Sequence, residues 1–211
     1  MSNFLKRPLA QSEQQVKDKD DIISLINFER YCRDNNKWEE MYKCYAKNSY
    51  VDISWYHGSG EGFVTASSKM KLPTRHVLHN SLTWINGDRA VTIMMATVVA
   101  ETILEGVKCN LSSDSQLIFS TEKINGQWYI VRFESIYEQD RIVPILPNNT
   151  LNIDSKVLEK YRPSYACIAY NMEKMGNKIN DILVGIDKPE LVQKLYNELD
   201  NWLDGGESSN H

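Results

Sequence analysis

The chain has 211 residues, which at roughly 150 residues per domain predicts one folded core with a substantial appendage. Hydrophobic residues make up 42% of the chain and charged residues 25%, which excludes disordered, collagen-like and low-complexity classes. The net charge is −4, and the one basic patch is small, comprising Lys69, Lys71 and Arg75. Nucleic acid is therefore not an expected partner, because phosphate binding demands a basic excess.

Targeting and metal-binding signals are missing from the sequence. The N-terminus contains no apolar signal core, and the longest apolar run, residues 90–100, is interrupted by threonines and too short for a membrane span. We therefore expect a cytoplasmic protein without a membrane partner. The cysteines lie far apart with no CxxC pair, so we expect buried, reduced thiols and neither a metal site nor a cofactor.

The first third of the chain predicts three helices and a strand. Residues 1–18 are polar and aperiodic, which predicts a tail. From Asp20 onward apolar residues recur at helical spacing until the Asp-Asn-Asn sequence at 34–36, and a second helix follows at once. Residues 50–56 alternate as a half-buried strand does, and a short helix is predicted from 63 to 72.

The next part of the chain predicts an antiparallel meander. Its strands are predicted at residues 75–85, 89–104, 107–123 and 127–138. The dipeptides Asn86-Gly87 and Asn125-Gly126 are those preferred in two-residue hairpin turns, and Glu105-Gly106 is a similar signal. Together these elements predict an α+β fold in which a curved antiparallel or mixed sheet wraps around the N-terminal helices and forms a cone with a cavity at one end.

Residues 19–146 are predicted to form this core, and residues 147–204 a C-terminal extension of two helices before a short tail at 205–211. The first helix is predicted from Ser155 to about Met175, with Pro163 starting or kinking it. The second is predicted to begin at a capping box formed by residues 187–190.

His76 and Asp34 are the candidate reactive residues. Alternation along the strand at 75–85 predicts one interior face carrying His76, Leu78, Asn80, Leu82 and Trp84. The alternative is that His76 has no catalytic role and is a buried, neutral histidine whose N–H donates a hydrogen bond to a backbone carbonyl. Asp34 is unfavourable at a helix C-terminus, which invites a functional explanation, although turn formation explains it equally well.

The opposite face of the predicted sheet is too apolar to face water. Its residues are Val77, Thr83, Ile85, Val91, Ile93, Met95 and Val99. We therefore expect a homodimer or homotrimer that associates through this face. The C-terminal helices are expected to cap the cavity, to pack on a neighbouring subunit, or to cover this face within one chain.

Several segments in this order resemble the SnoaL-like branch of the nuclear-transport-factor-2-like superfamily. They are RYCRDNNKWEEMYKCYAKNSYVDI, the following G-x-G at 58–60, TRHVLHNSLTWINGDRAV and INGQWYIVRFESIYEQDRIVPI, and the resemblance covers residues 19–146. Members of this superfamily are cone-shaped α+β barrels that include scytalone dehydratase, lindane dehydrochlorinase, bile-acid dehydratase and ketosteroid isomerase.

The resemblance implies roles for several residues. His76 matches the general base of the eliminating members, and Asp34 matches the aspartate that orients it. Tyr31 matches a hydrogen-bond donor to a substrate oxygen, and Arg132 a cation near the leaving group. The strand at 89–104 has no second pocket histidine, so the scytalone reaction itself is not expected.

The leading hypothesis is a cofactor-free lyase or isomerase, with dehydration as its first version. Its substrate is expected to be small, apolar and cyclic, and to be bound by Tyr31, Trp55, Asn80, Trp84 and Arg132, with His76 and Asp34 as the catalytic pair. The alternative is a non-catalytic module that binds a ligand or a protein partner. The two hypotheses differ in whether Asp34 contacts His76.

Overall fold

The computed structural model describes residues 4–7, 12–70, 74–176, 179 and 182–206. In this part of the chain the elements are α1 (Glu13–Asp34), α2 (Trp38–Lys43), β1 (Tyr45–Ile53), β2 (Tyr56–Ser59), α3 (Gly60–Lys69), β3 (Thr74–Asn86), β4 (Arg89–Leu104), β5 (Val107–Ile124), β6 (Gln127–Pro144), α4 (Ser155–Leu158), α5 (Ala166–Lys174) and α6 (Pro189–Leu203).

Helix α1 begins inside the segment predicted as a tail. Ser12 and Gln15 form a capping box at its N-terminus, each side chain bonding the other's backbone N–H, and this satisfies two donors that would otherwise have no partner. The helix ends at Asp34, as predicted, and Asn36 turns the chain with a φ of 58°.

The strands form one curved sheet in the order β2-β1-β6-β5-β4-β3. β1 pairs with β6 in parallel, and the other neighbours are antiparallel. The three predicted hairpin turns are confirmed: their glycines have positive φ angles of 60°, 77° and 83° at Gly87, Gly106 and Gly126. The predicted α+β fold, with a mixed curved sheet around N-terminal helices, is therefore correct.

Two β-bulges change which side chains face the interior. β3 has an extra residue between Leu78 and Ser81, and β6 has one at Val131. Beyond a bulge the alternation of a strand is inverted, because one residue has no counterpart on the neighbouring strand. Ile85 therefore packs in the inner core and Trp84 on the outer face, the reverse of the prediction, while Leu82 is 47% exposed.

The C-terminal extension differs from its prediction in two details. The helix predicted from Ser155 to Met175 is broken into α4 and α5 around Pro163, which cannot continue a helix through its own position. Asp187 does not cap α6. Its carboxylate instead accepts hydrogen bonds from the Arg162 guanidinium at 2.8 Å and from Ser164, and this ties the two halves of the extension together.

The two ends of the extension cover two different surfaces. α5 lies against the open end of the cone, where Asn171 accepts a hydrogen bond of 2.7 Å from Thr102 of β4. α6 packs on the outer face of the sheet and buries Val91 and Ile93. The face expected to drive self-association is thus partly covered within one chain, and the homo-oligomer stays a prediction.

Cys32, Cys44 and Cys109 are buried and Cys167 is half-buried, all as free thiols. Among the described residues no helix is both long and apolar enough to cross a membrane.

Leu199→Ala is expected to lower the free energy of unfolding by about 2–5 kcal/mol, because Leu199 of α6 is 1% exposed and its truncation leaves a cavity against the sheet. Asn197→Ala, on the exposed side of the same helix, is the control, with an expected change of about 0.5 kcal/mol or less. Urea denaturation followed by circular dichroism measures both. Equal losses would show that α6 is not docked on the sheet.

Candidate active site

The open end of the cone contains a cavity of about 120 Å³. Its walls are mainly apolar and aromatic, with Ile53, Trp55, Phe63, Val98, Leu117 and Phe133 from the core and Ile168 and Met172 from α5. Its polar groups come from α1 (Arg30 and Arg33), β3 (Thr74 and His76), three inward serines of β5 and β6 (Ser113, Ser115 and Ser135), Ser54, Tyr137 and Asn171. An apolar cavity with a few converging polar groups is the usual form of a ligand site.

Asp34 and His76 contact each other at the wall of this cavity. The Asp34 carboxylate lies 2.7 Å from His76 Nδ1 through one oxygen and accepts the His76 backbone N–H, also at 2.7 Å, through the other. The two side chains are 17% and 8% exposed. Two contacts to one residue fix the imidazole ring relative to the end of α1.

The surroundings set the protonation of this pair. Burial raises the pKa of Asp34, but hydrogen bonds from His76 and the charge of Arg30 outweigh burial, so the pKa lies below its usual value. Burial lowers the pKa of His76, and the charges of Arg30 and Arg33 lower it further, against the hydrogen bond to Asp34. An ionised Asp34 accepts only, so neutral His76 carries its proton on Nδ1 and presents an unprotonated Nε2.

Arg30 lies beside the unprotonated nitrogen of His76. Its Nη1 is 3.3 Å from His76 Nε2, and its guanidinium is 4.8 Å from the centre of the Phe133 ring. The buried Glu29 carboxylate accepts hydrogen bonds from Arg30 Nε and from Nη2 (2.6 Å), and it also accepts the Tyr45 hydroxyl at 2.9 Å. A buried ion pair thus places one cation next to the histidine.

The other predicted binding residues are mostly elsewhere. Trp55 lines the cavity, as expected. Tyr31 points outward on α1 and is 57% exposed, and Asn80 is exposed at the β3 bulge. Trp84, beyond that bulge, packs under α6 with its indole N–H bonded to the Lys6 carbonyl.

Arg132 is a further correction, because the bulge at Val131 turns it to the outer face of the sheet. There its guanidinium pairs with Glu134, at 2.7 Å, and lies 3.6 Å from Glu198 of α6. Burial raises the pKa of Glu134 to about 7. Arg132 therefore contributes to the packing of α6 and does not reach the cavity.

Arg30 and Arg33 line the cavity and were not predicted from the sequence. A usable signal exists: Ile22, Ile26, Arg30 and Asp34 are spaced four residues apart, so they share one helix face. Extending the apolar stripe from Ile26 along that face reaches both arginines. This signal is weak in a sequence, because charged residues on an amphipathic helix normally face solvent and not the core.

The part of the chain that the structure describes contains no group of three or more His, Cys, Asp and Glu side chains arranged to hold a metal ion. His57, on β2, is exposed and bonded to Tyr50. His79 is exposed and lies 3.0 Å from the Thr97 hydroxyl. Of these histidines, His76 is the one in the cavity wall.

The chain is similar to known proteins both in amino-acid sequence and in three-dimensional fold. Pea pathogenicity protein 2 of Fusarium vanettenii is 30% identical over 186 residues, covering 82% of this chain and 80% of that protein. The crystal structure of a candidate scytalone dehydratase from Novosphingobium aromaticivorans superposes with a TM-score of 0.54 at 14% identity, over 68% of this chain and 99% of that one.

A hexachlorocyclohexane dehydrochlorinase, LinA-type3 from Novosphingobium barchaimii, superposes with a TM-score of 0.54 at 10% identity, over 66% of this chain and 97% of that one. At such identities the two crystal structures show a shared fold. Residues 14–134 match the model of the SnoaL-like domain, which is more than half of the chain. The resemblance noted in the sequence is thereby confirmed, and the chain belongs to the family of SnoaL-like domains.

Proposed function

We propose that the chain is a cofactor-free lyase or isomerase in which His76 is the general base and Asp34 orients it. Dehydration is the leading version. The observation that carries this proposal is the 2.7 Å contact between Asp34 and His76 Nδ1, which leaves Nε2 unprotonated at the cavity wall. A base must present a lone pair to the substrate, and in this tautomer the lone pair is on Nε2. Arg30 Nη1 lies 3.3 Å from Nε2, so the substrate has to displace this arginine contact to reach the base.

In the dehydration, His76 Nε2 takes the proton from a carbon next to an activating group. The electron pair of the broken C–H bond forms the new double bond, and the C–O bond to the leaving hydroxyl breaks. The imidazolium then returns its proton to the hydroxyl, which leaves as water. Asp34 stabilises the imidazolium in the interval and holds the ring in place.

The cavity supports a small, largely apolar and cyclic substrate. Trp55, Phe63 and Phe133 give it aromatic walls, and α5 covers its open end. Excluding water from the reacting atoms strengthens the electrostatic effect of the pair. The names of the two structural neighbours, a dehydratase and a dehydrochlorinase, describe eliminations and support the same reaction class.

A non-catalytic binding module is the alternative. It predicts that packed side chains separate Asp34 from His76, and the 2.7 Å contact between them favours the enzyme.

Solvent-deuterium incorporation tests the proposal directly. A panel of cyclic ketones and cyclic β-hydroxy ketones is incubated with the protein in D₂O, and exchange or loss of water is followed by NMR. We expect at least one compound to exchange or eliminate faster with the protein than without it. Binding of several compounds, with neither exchange nor elimination of any, would support the alternative.

The rate of this reaction is expected to be flat above the pKa of His76 and to fall as the pH drops through it, because only the neutral imidazole is a base. Since the pKa of His76 is lowered from its ordinary value of 6.5, the midpoint of the fall is expected below pH 6.5. A pH profile of kcat/KM measures it. A midpoint above pH 6.5 would contradict the assignment of His76 as the base.

A further inference from the structure

Arg33 is a buried cation without a carboxylate partner in the described part of the chain. The residue is 7% exposed and lines the cavity. Its one hydrogen bond there goes from Nη2 to the sulfur of Met70 at 3.3 Å, and its guanidinium lies 5.8 Å from the Trp38 ring. A thioether is a weak, uncharged acceptor, so the described residues give Arg33 no carboxylate in hydrogen-bond contact, although Asp34 and Glu29 lie near enough for their charges to act on it.

The neighbouring arginine is different. Arg30 has the Glu29 carboxylate in a two-point contact, while the Asp34 carboxylate is occupied by His76. Both nearby carboxylates are therefore engaged with other groups. Burial and the charge of Arg30 lower the pKa of Arg33, and they outweigh the charges of Asp34 and Glu29, which raise it.

Thr74 is a second cavity residue whose polar group has no partner within the described ranges of the chain. The Thr74 hydroxyl is buried and makes no hydrogen bond to any residue that the structure describes, although buried polar groups in proteins are nearly always satisfied. Thr74 lines the same cavity as Arg33 and lies two residues before His76 on β3. The cavity thus offers a charged donor and a hydroxyl to a group that is not part of the chain.

We propose that Arg33 and Thr74 bind the carboxylate of a small cyclic carboxylic acid, whose ring lies against the aromatic walls beside His76. The planar guanidinium matches a carboxylate in two-point geometry, and burial strengthens such charge-assisted hydrogen bonds. This inference rests on the proposed function for the reaction, and it adds the class of substrate: the proton that His76 removes belongs to a ring that carries an acid group.

Binding of matched acids and amides tests the anion site without requiring turnover. Benzoate is compared with benzamide, and cyclohexanecarboxylate with its carboxamide, by isothermal titration or ligand-observed NMR. The wild-type protein is expected to bind each acid about ten- to a hundredfold more tightly than its amide. Equal affinities for acid and amide would overturn the inference.

Single substitutions test whether the acid group binds at Arg33 and Thr74. Arg33→Met is expected to abolish the preference for the acid, Arg33→Lys to retain part of it, and Thr74→Val to weaken acid binding severalfold. Arg75→Met is the matched control for Arg33→Met, because Arg75 is exposed, lies next to Thr74 on β3, and its loss changes the net charge equally. If Arg33→Met and Arg75→Met weaken acid binding equally, the effect is long-range attraction and the site is not at Arg33.

The stability of the ligand-free protein gives a second readout. Removing a buried cation that has no carboxylate of the described residues in hydrogen-bond contact is expected to raise the melting temperature, so folded Arg33→Met is expected to melt a few degrees above the wild type. A clearly lower melting temperature would show that the chain itself satisfies Arg33, which would contradict the inference.

The binding and exchange experiments together distinguish failure of the anion site at Arg33 from failure of the proposed catalysis by His76. An acid preference that depends on Arg33, without proton exchange in any acid, would overturn catalysis and leave the anion site. Exchange in neutral ketones, without any preference for acids, would overturn the anion site and leave His76 as the base.

Discussion

His76→Asn is expected to reduce solvent-proton exchange in the substrate by about 10²- to 10⁴-fold, the usual contribution of a general base. Asparagine cannot take up a proton at Nε2, so the loss should appear in kcat while the protein stays folded. Asp34→Asn is expected to be nearly as damaging, because its amide can donate to Nδ1 and favour the tautomer in which Nε2 carries the proton.

His79→Asn is the matched control for these variants. His79 lies on the same strand, exposed and 3.0 Å from the Thr97 hydroxyl, so its replacement should leave the exchange rate unchanged. NMR measurement of deuterium incorporation gives all three rates under the same conditions. If His76→Asn retains the wild-type rate, the base is another residue.

Local signals predicted the meander from sequence. Each of its hairpins is closed by a dipeptide with a strong turn preference, and the strands between the turns are long and rich in β-branched residues. Once the turns are located, the limits of neighbouring strands follow from pairing. For this reason the predicted ends of β4 agree with the structure, whereas β6, whose end is marked by no such turn, extends beyond its prediction to Pro144.

The bulges could not be predicted, and they account for most errors at the site. Simple alternation continued through Asn80 on β3, so Trp84 was placed on the wrong face. The resemblance implied that Arg132 lies near the leaving group, and the bulge at Val131 turns Arg132 to the outer face instead. An extra residue in one strand is decided by how a curved sheet closes over its core, which is a property of several strands together. Residues before the bulge, such as His76, kept their predicted orientation.

The polar residues of the site could not be predicted from the sequence for a different reason. Arg30, Arg33 and Glu29 are charged, and charged residues in an amphipathic helix are normally assigned to its solvent face. On α1 the exposed positions instead include Phe28 and Tyr31, which are 46% and 57% exposed. Burying charge in place of aromatic rings has a cost in stability, and such a cost is typical of residues kept for binding or catalysis.

The variant Glu29→Gln measures how much the free energy of unfolding depends on pairing the buried Arg30 guanidinium with the Glu29 carboxylate. Glu29 is fully buried and holds Arg30 beside His76. The neutral amide leaves the buried guanidinium unpaired, and the expected loss is about 3–5 kcal/mol of unfolding free energy. Glu40→Gln is the control, since it breaks an exposed 2.6 Å ion pair with Lys43 and is expected to cost about 1 kcal/mol or less.

Urea denaturation compares the two glutamine variants with the double variant Glu29→Met/Arg30→Met. Removing both charges avoids the unpaired cation, so the double variant is expected to be more stable than Glu29→Gln alone. A Glu29→Gln loss no larger than that of Glu40→Gln would mean that Arg30 has another partner. The ion pair would then not be what holds the guanidinium at 3.3 Å from His76 Nε2.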